Sequence, residues 1–302
     1  MMRVLVTGAT GFVGRALVAA LVERDVEVVA SSRDPLRAAS QLPLIYRHLK
    51  WDPNVGPAPR EVFDGVDAII HLAGENVAGR WTDAKKKRIR DSRVFGTRHL
   101  VESLRPLDER PHTLVSASAV GYYGDRGDEE LREDAEPGDD FLARTCVEWE
   151  TEGVHARALG LDVVHLRIGI VLDPAGGALQ QMLPPFRFGV GGPLGSGDQW
   201  WSWIHREDLV RMLMTAATDR WDGVYNATAP GALRQKEFAD VLGDVLNRPS
   251  FVPAPAFALQ MLFGEFSGEL LTSKRVVPRQ ALDADFRFHY PELRDALLDL
   301  LD

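Results

Sequence analysis

Two periods alternate along this chain. Short continuous apolar runs of strand length give way to stretches in which apolar residues return every three or four positions, as on one face of a helix. The first run, Arg3–Thr7, leads into Leu17, Val18, Leu21 and Val22 at helical spacing. Residues 26–31 read as a second strand, and 44–50, 67–72, 113–116 and Asp162–Ile168 as further ones. Helical patterning covers 82–104 and 139–159. Farther on, Trp203–His205, a helix over 206–217 and the strand Gly223–Ala227 are expected to return to the main sheet. Near-continuous apolar strands separated by amphipathic helices predict an α/β fold, a doubly wound parallel sheet covered on both faces. After Asp173 the texture changes to Gly- and Pro-rich loops, including Gly189-Val190-Gly191-Gly192-Pro193-Leu194-Gly195-Ser196-Gly197, and a smaller C-terminal lobe is expected to begin there. No internal repeat or low-complexity tract interrupts the pattern.

The turn after the first strand carries the chemistry. Gly8-Ala9-Thr10-Gly11-Phe12-Val13-Gly14 places three glycines three residues apart between a strand and an apolar helix. The first glycine allows a sharp turn off the strand, the second removes a side chain where backbone must meet phosphate, and the third lets the helix pack closely. With the helix N-terminus this makes a dinucleotide pyrophosphate cradle and a Rossmann-type unit. Which dinucleotide depends on the end of the second strand. Ser32 stands where an NAD enzyme would carry an acid, and Arg33 follows, so a small hydroxyl and a guanidinium leave room and charge for a 2′-phosphate. NADP is the cofactor this favours. The rival reading takes Asp34 as the ribose acid of an NAD enzyme, but Asp34-Pro35 is also how a helix begins, with the acid as N-cap. The domains expected are 1–172 plus 203–228 for NADP and 173–202 plus 229–302 for a substrate lobe.

Composition narrows the class. Forty-four acids against 35 bases give a net charge of −9 over 302 residues, which argues against nucleic acid or an anionic membrane as partner. The single cysteine, Cys146, excludes an intramolecular disulfide framework and a cysteine-based zinc site, and no metal site is expected. No apolar run reaches the length of a membrane span and no signal peptide pattern precedes the first strand, so a cytoplasmic protein acting on a small molecule, as monomer or homodimer, is expected.

Further motifs carry a resemblance. The glycine cradle, His71-Leu72-Ala73-Gly74, Ser116-Ala117-Ser118-Ala119-Val120-Gly121-Tyr122-Tyr123-Gly124 and Arg167-Ile168-Gly169-Ile170-Val171-Leu172 resemble the successive motifs of an extended short-chain dehydrogenase/reductase. Within that superfamily, Leu72-Ala73-Gly74-Glu75-Asn76, Phe141-Leu142-Ala143 with Cys146 and Trp149-Glu150, and Gln199-Trp200-Trp201-Ser202-Trp203-Ile204-His205 are similar to YfcH-like epimerase-family oxidoreductases. Leu262-Phe263-Gly264-Glu265, Val276-Val277-Pro278 and Phe286-Arg287-Phe288 match that group's C-terminal extension. The resemblance spans essentially the whole chain. It implies cofactor contacts from Gly8, Thr10, Gly11, Phe12, Val13, Gly14, Ser32, Arg33, Leu72, Ala73, Gly74, Glu75, Asn76, Arg80 and Arg167. It also implies that Asp52 accepts from the adenine amino group, against the plainer reading of a turn residue before Pro53.

The superfamily's tyrosine, with a lysine four residues on, is missing. One register of the equivalent helix puts Phe141 and Thr145 at those places, and the preferred one puts Leu142 and Cys146 there. Ser118, Tyr122 and Tyr123 are the remaining candidates for orienting a substrate oxygen and giving or taking a proton, against a packing role for both rings. Cys146 and His205 read first as core residues. Lys85-Lys86-Lys87-Arg88 with Arg90 and Arg93 reads as a solvated helix face, or as a stretch that engages phosphate or an acidic partner. Trp200, Trp201 and Trp203 with Trp149 read as a substrate floor or as core, and Asp198 departs from the basic residue the resemblance implies in its loop. The function expected is an NADP-dependent oxidoreductase or epimerase acting on a small carbonyl or sugar-like compound. The alternative is a non-catalytic NADP(H) sensor.

Overall fold

The computed structural model describes residues 1–219 and 221–301, so Asp302, the end of the expected lobe, lies outside them. In chain order the elements are β1 (Arg3–Thr7), α1 (Phe12–Val22), β2 (Glu27–Ser32), α2 (Pro35–Gln41), β3 (Arg47–Lys50), β4 (Ala68–His71), α3 (Asp83–Leu104) and β5 (Thr113–Ala119). A 3-10 turn over Val120–Tyr123 precedes β6 (Glu130–Leu131), α4 (Phe141–Val154), β7 (Asp162–Ile168), β8 (Ile170–Asp173) and α5 (Gly177–Arg187). Then come β9 (Trp200–Trp201), β10 (Trp203–His205), α6 (Arg206–Thr218), β11 (Gly223–Ala227), β12 (Leu233–Arg234) and α7 (Gln235–Leu246). The chain finishes with α8 (Ala256–Phe263), α9 (Phe266–Leu271), β13 (Arg275–Val276), α10 (Arg279–Asp283) and α11 (Leu293–Leu301).

Seven strands form one sheet in the order β11-β7-β5-β4-β1-β2-β3, and every neighbouring pair is parallel. The order reverses between β1 and β4, which opens a crevice beyond their carboxyl ends, where such sheets take ligands. Both faces are covered, as the continuous apolar strands require. One core gathers Val4, Val6 and Ile70 against Leu17 and Leu21 of α1 and Leu209 and Leu213 of α6, and the other gathers Leu5 and Ile69 against Leu100 and Leu104 of α3.

Helix boundaries follow local capping. Thr82 caps α3 by accepting from the Lys85 amide, and Asp140 caps α4 by accepting from the Ala143 amide. The helix read as 139–159 is therefore α4 followed by a 3-10 turn that closes on Gly160 in the left-handed region. One expectation needs correction. Trp203–His205 does not join the main sheet but pairs with β8 in a separate two-stranded sheet. The chain leaves β7 at Gly169, where a Cβ would stand 2.6 Å from the Ser202 carbonyl oxygen, so close backbone approach brings the two short strands together. Leu172, Trp201 and Trp203 then belong to a third core with α5, α7 and α11. Among the described residues no helix is long and apolar enough to cross a membrane.

Candidate functional site

Gly8 turns off β1 at φ +70°, a left-handed conformation that glycine adopts without strain. A Cβ there would lie 2.8 Å from the Leu72 carbonyl carbon, and one on Gly14 would lie 2.2 Å from the Gly8 carbonyl oxygen. These two glycines let the turn press on the chain after β4 and let α1 press on the turn. Gly11 differs, because a Cβ on it would meet only the Gly8 oxygen, at 3.1 Å. It is the N-cap of α1, and no side chain caps that helix, so its first-turn amides are left for a ligand. Thr10, Phe12 and Val13 are partly exposed around this turn. The Phe12 ring lies against Gly176 and Gly177 at the start of α5, so the lobe reaches the cradle here.

At the end of β2, the Ser32 hydroxyl accepts from the Asp34 amide at 3.1 Å, and Asp34 accepts from the Arg37 amide at 3.0 Å with Pro35 in the first turn of α2. Asp34 is thus engaged as a helix cap. Arg33 is exposed and makes no ion pair among the described residues. Asp52 accepts from both the backbone and the side-chain amide of Asn54, at 3.0 and 3.1 Å, which is the geometry of a turn residue.

Beyond β4, the Leu72 and Ala73 amides both donate to the Thr7 hydroxyl at 3.2 Å, and that hydroxyl lies 2.7 Å from the buried His71 Nδ1. This fixes the small-residue loop against the cradle. Glu75 sends its carboxylate to Lys85 at 2.9 Å and Arg88 at 3.4 Å, and the Lys85 hydrogen bond holds its pKa below the usual range. Asn76 accepts from the Ala78 amide. Arg80 reaches the Met261 carbonyl oxygen, and the Trp81 ring packs against both Phe141 and Phe266 at centroid distances of 5.3 and 5.6 Å. The C-terminal helices α8 and α9 are thereby fastened over this loop.

The end of β5 faces α4, and the geometry decides between the two registers. Leu142 sits against Gly121, Cys146 donates weakly to the Ala119 carbonyl at 3.8 Å, and Glu150 accepts from Ser118 at 2.6 Å, so positions 142, 146 and 150 line the strand end. Phe141 turns to Trp81, and the Thr145 hydroxyl bonds its own helix. Burial pushes the Cys146 thiol up to about 12, which makes it a neutral core residue.

Two of the three expected catalytic hydroxyls lie inside the protein. Ser118 is 3% exposed and Tyr123 is fully buried, donating to Asn226 at 2.6 Å. Burial pushes the Tyr123 phenol to about 12. Arg167, expected among cofactor contacts, joins both: it makes a bidentate pair with Glu150 at 2.9 Å per bond and donates to the Tyr123 hydroxyl and the Glu133 carbonyl, each at 3.0 Å. Its Cζ stacks 3.3 Å from the centroid of the Tyr122 ring, which keeps partial exposure and whose pKa burial raises. The partly exposed residues here are Ala119, Val120 and Tyr122 with Phe141 and Leu142.

Other singled-out residues resolve as structure. Trp201 and Trp203 sit in the lobe core, Trp149 lies apart beneath Arg93, and Trp200 packs under Arg234 and Arg275, so no common tryptophan floor forms. His205 is stacked on Tyr290 at 3.9 Å and capped onto α6, and Asp198 pairs with Lys236 at 2.8 Å. Among the described residues no His, Cys, Asp and Glu cluster could hold a metal. Sequence reasoning missed the roles of Glu150 and Asn226. Glu150 was visible as the polar residue one turn beyond Cys146, but Asn226, 103 positions from Tyr123, gave no local signal.

Residues 4–227 match the NAD dependent epimerase/dehydratase family, and residues 254–300 match a domain of unknown function, DUF1731. Among relatives, the chloroplastic epimerase family protein SDR39U1 homolog of Arabidopsis thaliana is 39% identical, covering 98% of this chain and 86% of the relative. Epimerase family protein YfhF of Bacillus subtilis is 37% identical, covering 99% and 98%. A crystal structure of human epimerase family protein SDR39U1 with NADPH superposes with a TM-score of 0.88 at 35% identity, covering 99% of each chain.

Proposed function

The chain belongs to the NAD-dependent epimerase/dehydratase family, and from that premise we propose that it binds NADP(H) across the carboxyl ends of β2, β1 and β4 and acts as an oxidoreductase or epimerase on a small carbonyl or sugar-like compound. The observation that carries the cofactor choice is the end of β2. Asp34 is engaged as a cap while Arg33 is exposed and unpaired among the described residues, so the position favours a 2′-phosphate over a free ribose hydroxyl. The cradle fits the group as well, since Gly11 keeps its outer face clear and α1 offers uncapped amides to a pyrophosphate. The human relative crystallised with NADPH supports the same reading.

Bound NADP(H) supplies or accepts a hydride at its nicotinamide ring. The chain has no Tyr–Lys pair to supply the proton, because Leu142 and Cys146 face the strand end instead. Of the expected hydroxyls, Tyr122 keeps an exposed surface; its phenol is protonated and can donate to a substrate oxygen, although burial raises its pKa and so makes it a weaker acid than a free tyrosine. Ser118 and Tyr123 act as positioning residues through Glu150 and Arg167, which hold the turn that carries Tyr122. A second reading, an NADP(H) sensor without turnover, is favoured by the neutral, buried Cys146 where a catalytic cation would stand.

Calorimetric titration tests the cofactor: NADPH should bind at least about tenfold tighter than NADH, and Arg33→Ala should erase most of that difference, since one charge-assisted contact contributes about 1.5–3 kcal/mol. Equal affinities in the native protein overturn the assignment. A screen of aldehydes, ketones, quinones and nucleotide sugars for NADPH oxidation then separates the two functions. Tyr122→Phe should lower turnover more than it weakens substrate binding, and NADPH binding with no compound turned over favours the sensor.

A further inference from the structure

The cations that begin α3 are paired almost one by one. Lys85 and Arg88 meet Glu75, Lys86 meets Glu265 at 2.7 Å, Lys87 meets Asp91, and Arg90 meets Glu148. Arg93 breaks the pattern. It shares the inward side of α3 with Ile89, Gly96 and Leu100, and no carboxylate among the described residues comes within ion-pair distance of it. Its Nη1 donates to the carbonyl oxygens of Glu75 at 3.0 Å and Ile89 at 3.1 Å, while Nε and Nη2 have no hydrogen-bond partner among the described residues. The guanidinium lies 5.2 Å from the Trp149 ring centroid, and desolvation lowers its pKa. The adjacent Cys146 offers no countercharge, since its thiol is neutral. Arg93 is partly exposed and neither idle donor is among the buried unpartnered atoms, so both face solvent and are open to a ligand that replaces that water.

The place of this gap identifies what completes it. A Cβ on Gly74 would stand 3.4 Å from the Arg93 Cζ, so the guanidinium lies directly behind an exposed glycine. Gly74 follows Leu72 and Ala73, the backbone that touches the Gly8 turn of the cradle. Ser32 and Arg33 place the adenosine half over β2, and the cradle places the pyrophosphate over β1. The remaining half of a dinucleotide must then extend over β4 and β5, past the Gly74 loop that the Arg93 guanidinium backs.

We propose that Arg93 is a cofactor-binding residue whose free Nε–H and Nη2–H groups donate to the hydroxyl oxygens of the nicotinamide-side ribose of NADP(H). The inference rests on NADP(H) occupying the crevice. It means that α3 supplies the cation that α4, with Cys146, lacks. A guanidinium stays protonated, so this cation anchors the nicotinamide half and leaves proton transfer to another group.

Paired calorimetric titrations test this, using NADPH and 2′,5′-ADP, which keeps the phosphorylated adenosine half and has no nicotinamide ribose. Arg93→Met should weaken NADPH by about tenfold or more, the value of a lost charged hydrogen bond, and leave 2′,5′-ADP within about twofold of the native protein. Unchanged NADPH affinity, or NADPH and 2′,5′-ADP weakening together, overturns the proposal. Should Arg93→Met fail to fold, Arg93→Lys still offers a donor to the two carbonyls but lacks the second edge of the guanidinium, and the same pair of titrations decides. A native protein that binds neither probe overturns the NADP(H) reading beneath it instead.

Discussion

Arg167→Met removes one half of a buried ion pair whose consequences can be worked through. The Arg167 and Glu150 side chains are 4% and 10% exposed, and two parallel N–H···O bonds of 2.9 Å join them. Methionine fills much of the stem's volume but leaves the Glu150 carboxylate with the Ser118 hydroxyl as its remaining donor among the described residues. Breaking a buried pair from one side costs about 3–5 kcal/mol, mostly the penalty of the stranded charge. The Tyr123 hydroxyl also loses a donor, and Tyr122 loses the plane it stacks on. Adding Glu150→Leu removes the stranded charge, so the double variant should recover most of the loss and exceed the single variant in stability. Urea unfolding, followed by tryptophan fluorescence and circular dichroism, gives each free energy by linear extrapolation. A single-variant cost below about 1 kcal/mol, or a double variant no more stable than the single, would refute the view that these residues act as one desolvated unit.

Two further outcomes follow from particular contacts. Gly11→Val should keep the native melting temperature yet abolish NADPH binding, whereas Gly14→Val should unfold the protein, because its Cβ would lie 2.2 Å from the Gly8 carbonyl oxygen; the reverse pattern would show that the roles of the two glycines are misassigned. Burial pushes the imidazoles of His71 and His165 down to about 4, so both are neutral in the folded chain, while the unfolded chain takes up protons near 6.5. Their contribution to stability is therefore complete above about pH 6.5 and is lost as pH falls towards 4, at about 1.4 kcal/mol per pH unit for each histidine. His165→Leu should flatten the slope of unfolding free energy against pH in that window, and an unchanged slope in urea titrations counts against it.

Much of the NADP-side architecture is legible in the chain because it is local. The strand, glycine turn and helix at residues 3–22 form within one βα unit, and the Asp34-Pro35 start of α2 is a cap settled by its own next three residues. The resemblance fixes the family for the same reason, since ordered motifs mark successive turns of one topology. What only the tertiary structure decided lies between segments far apart in sequence. β10 pairs with β8 rather than with the main sheet because Gly169 admits the Ser202 backbone, a contact that neither segment's periodicity encodes. Ser118 and Tyr123 read alone as free hydroxyls, but burial against Glu150, Arg167 and Asn226 uses their protons inside the protein. Arg93 read as one more cation on a solvated face until folding gave every charged neighbour from Lys85 to Arg90 a carboxylate and left its own guanidinium under Gly74. Hydrophobic period and capping determine which segments become strands and helices; desolvation and pairing, which decide what a polar side chain does, depend on what the fold packs against it.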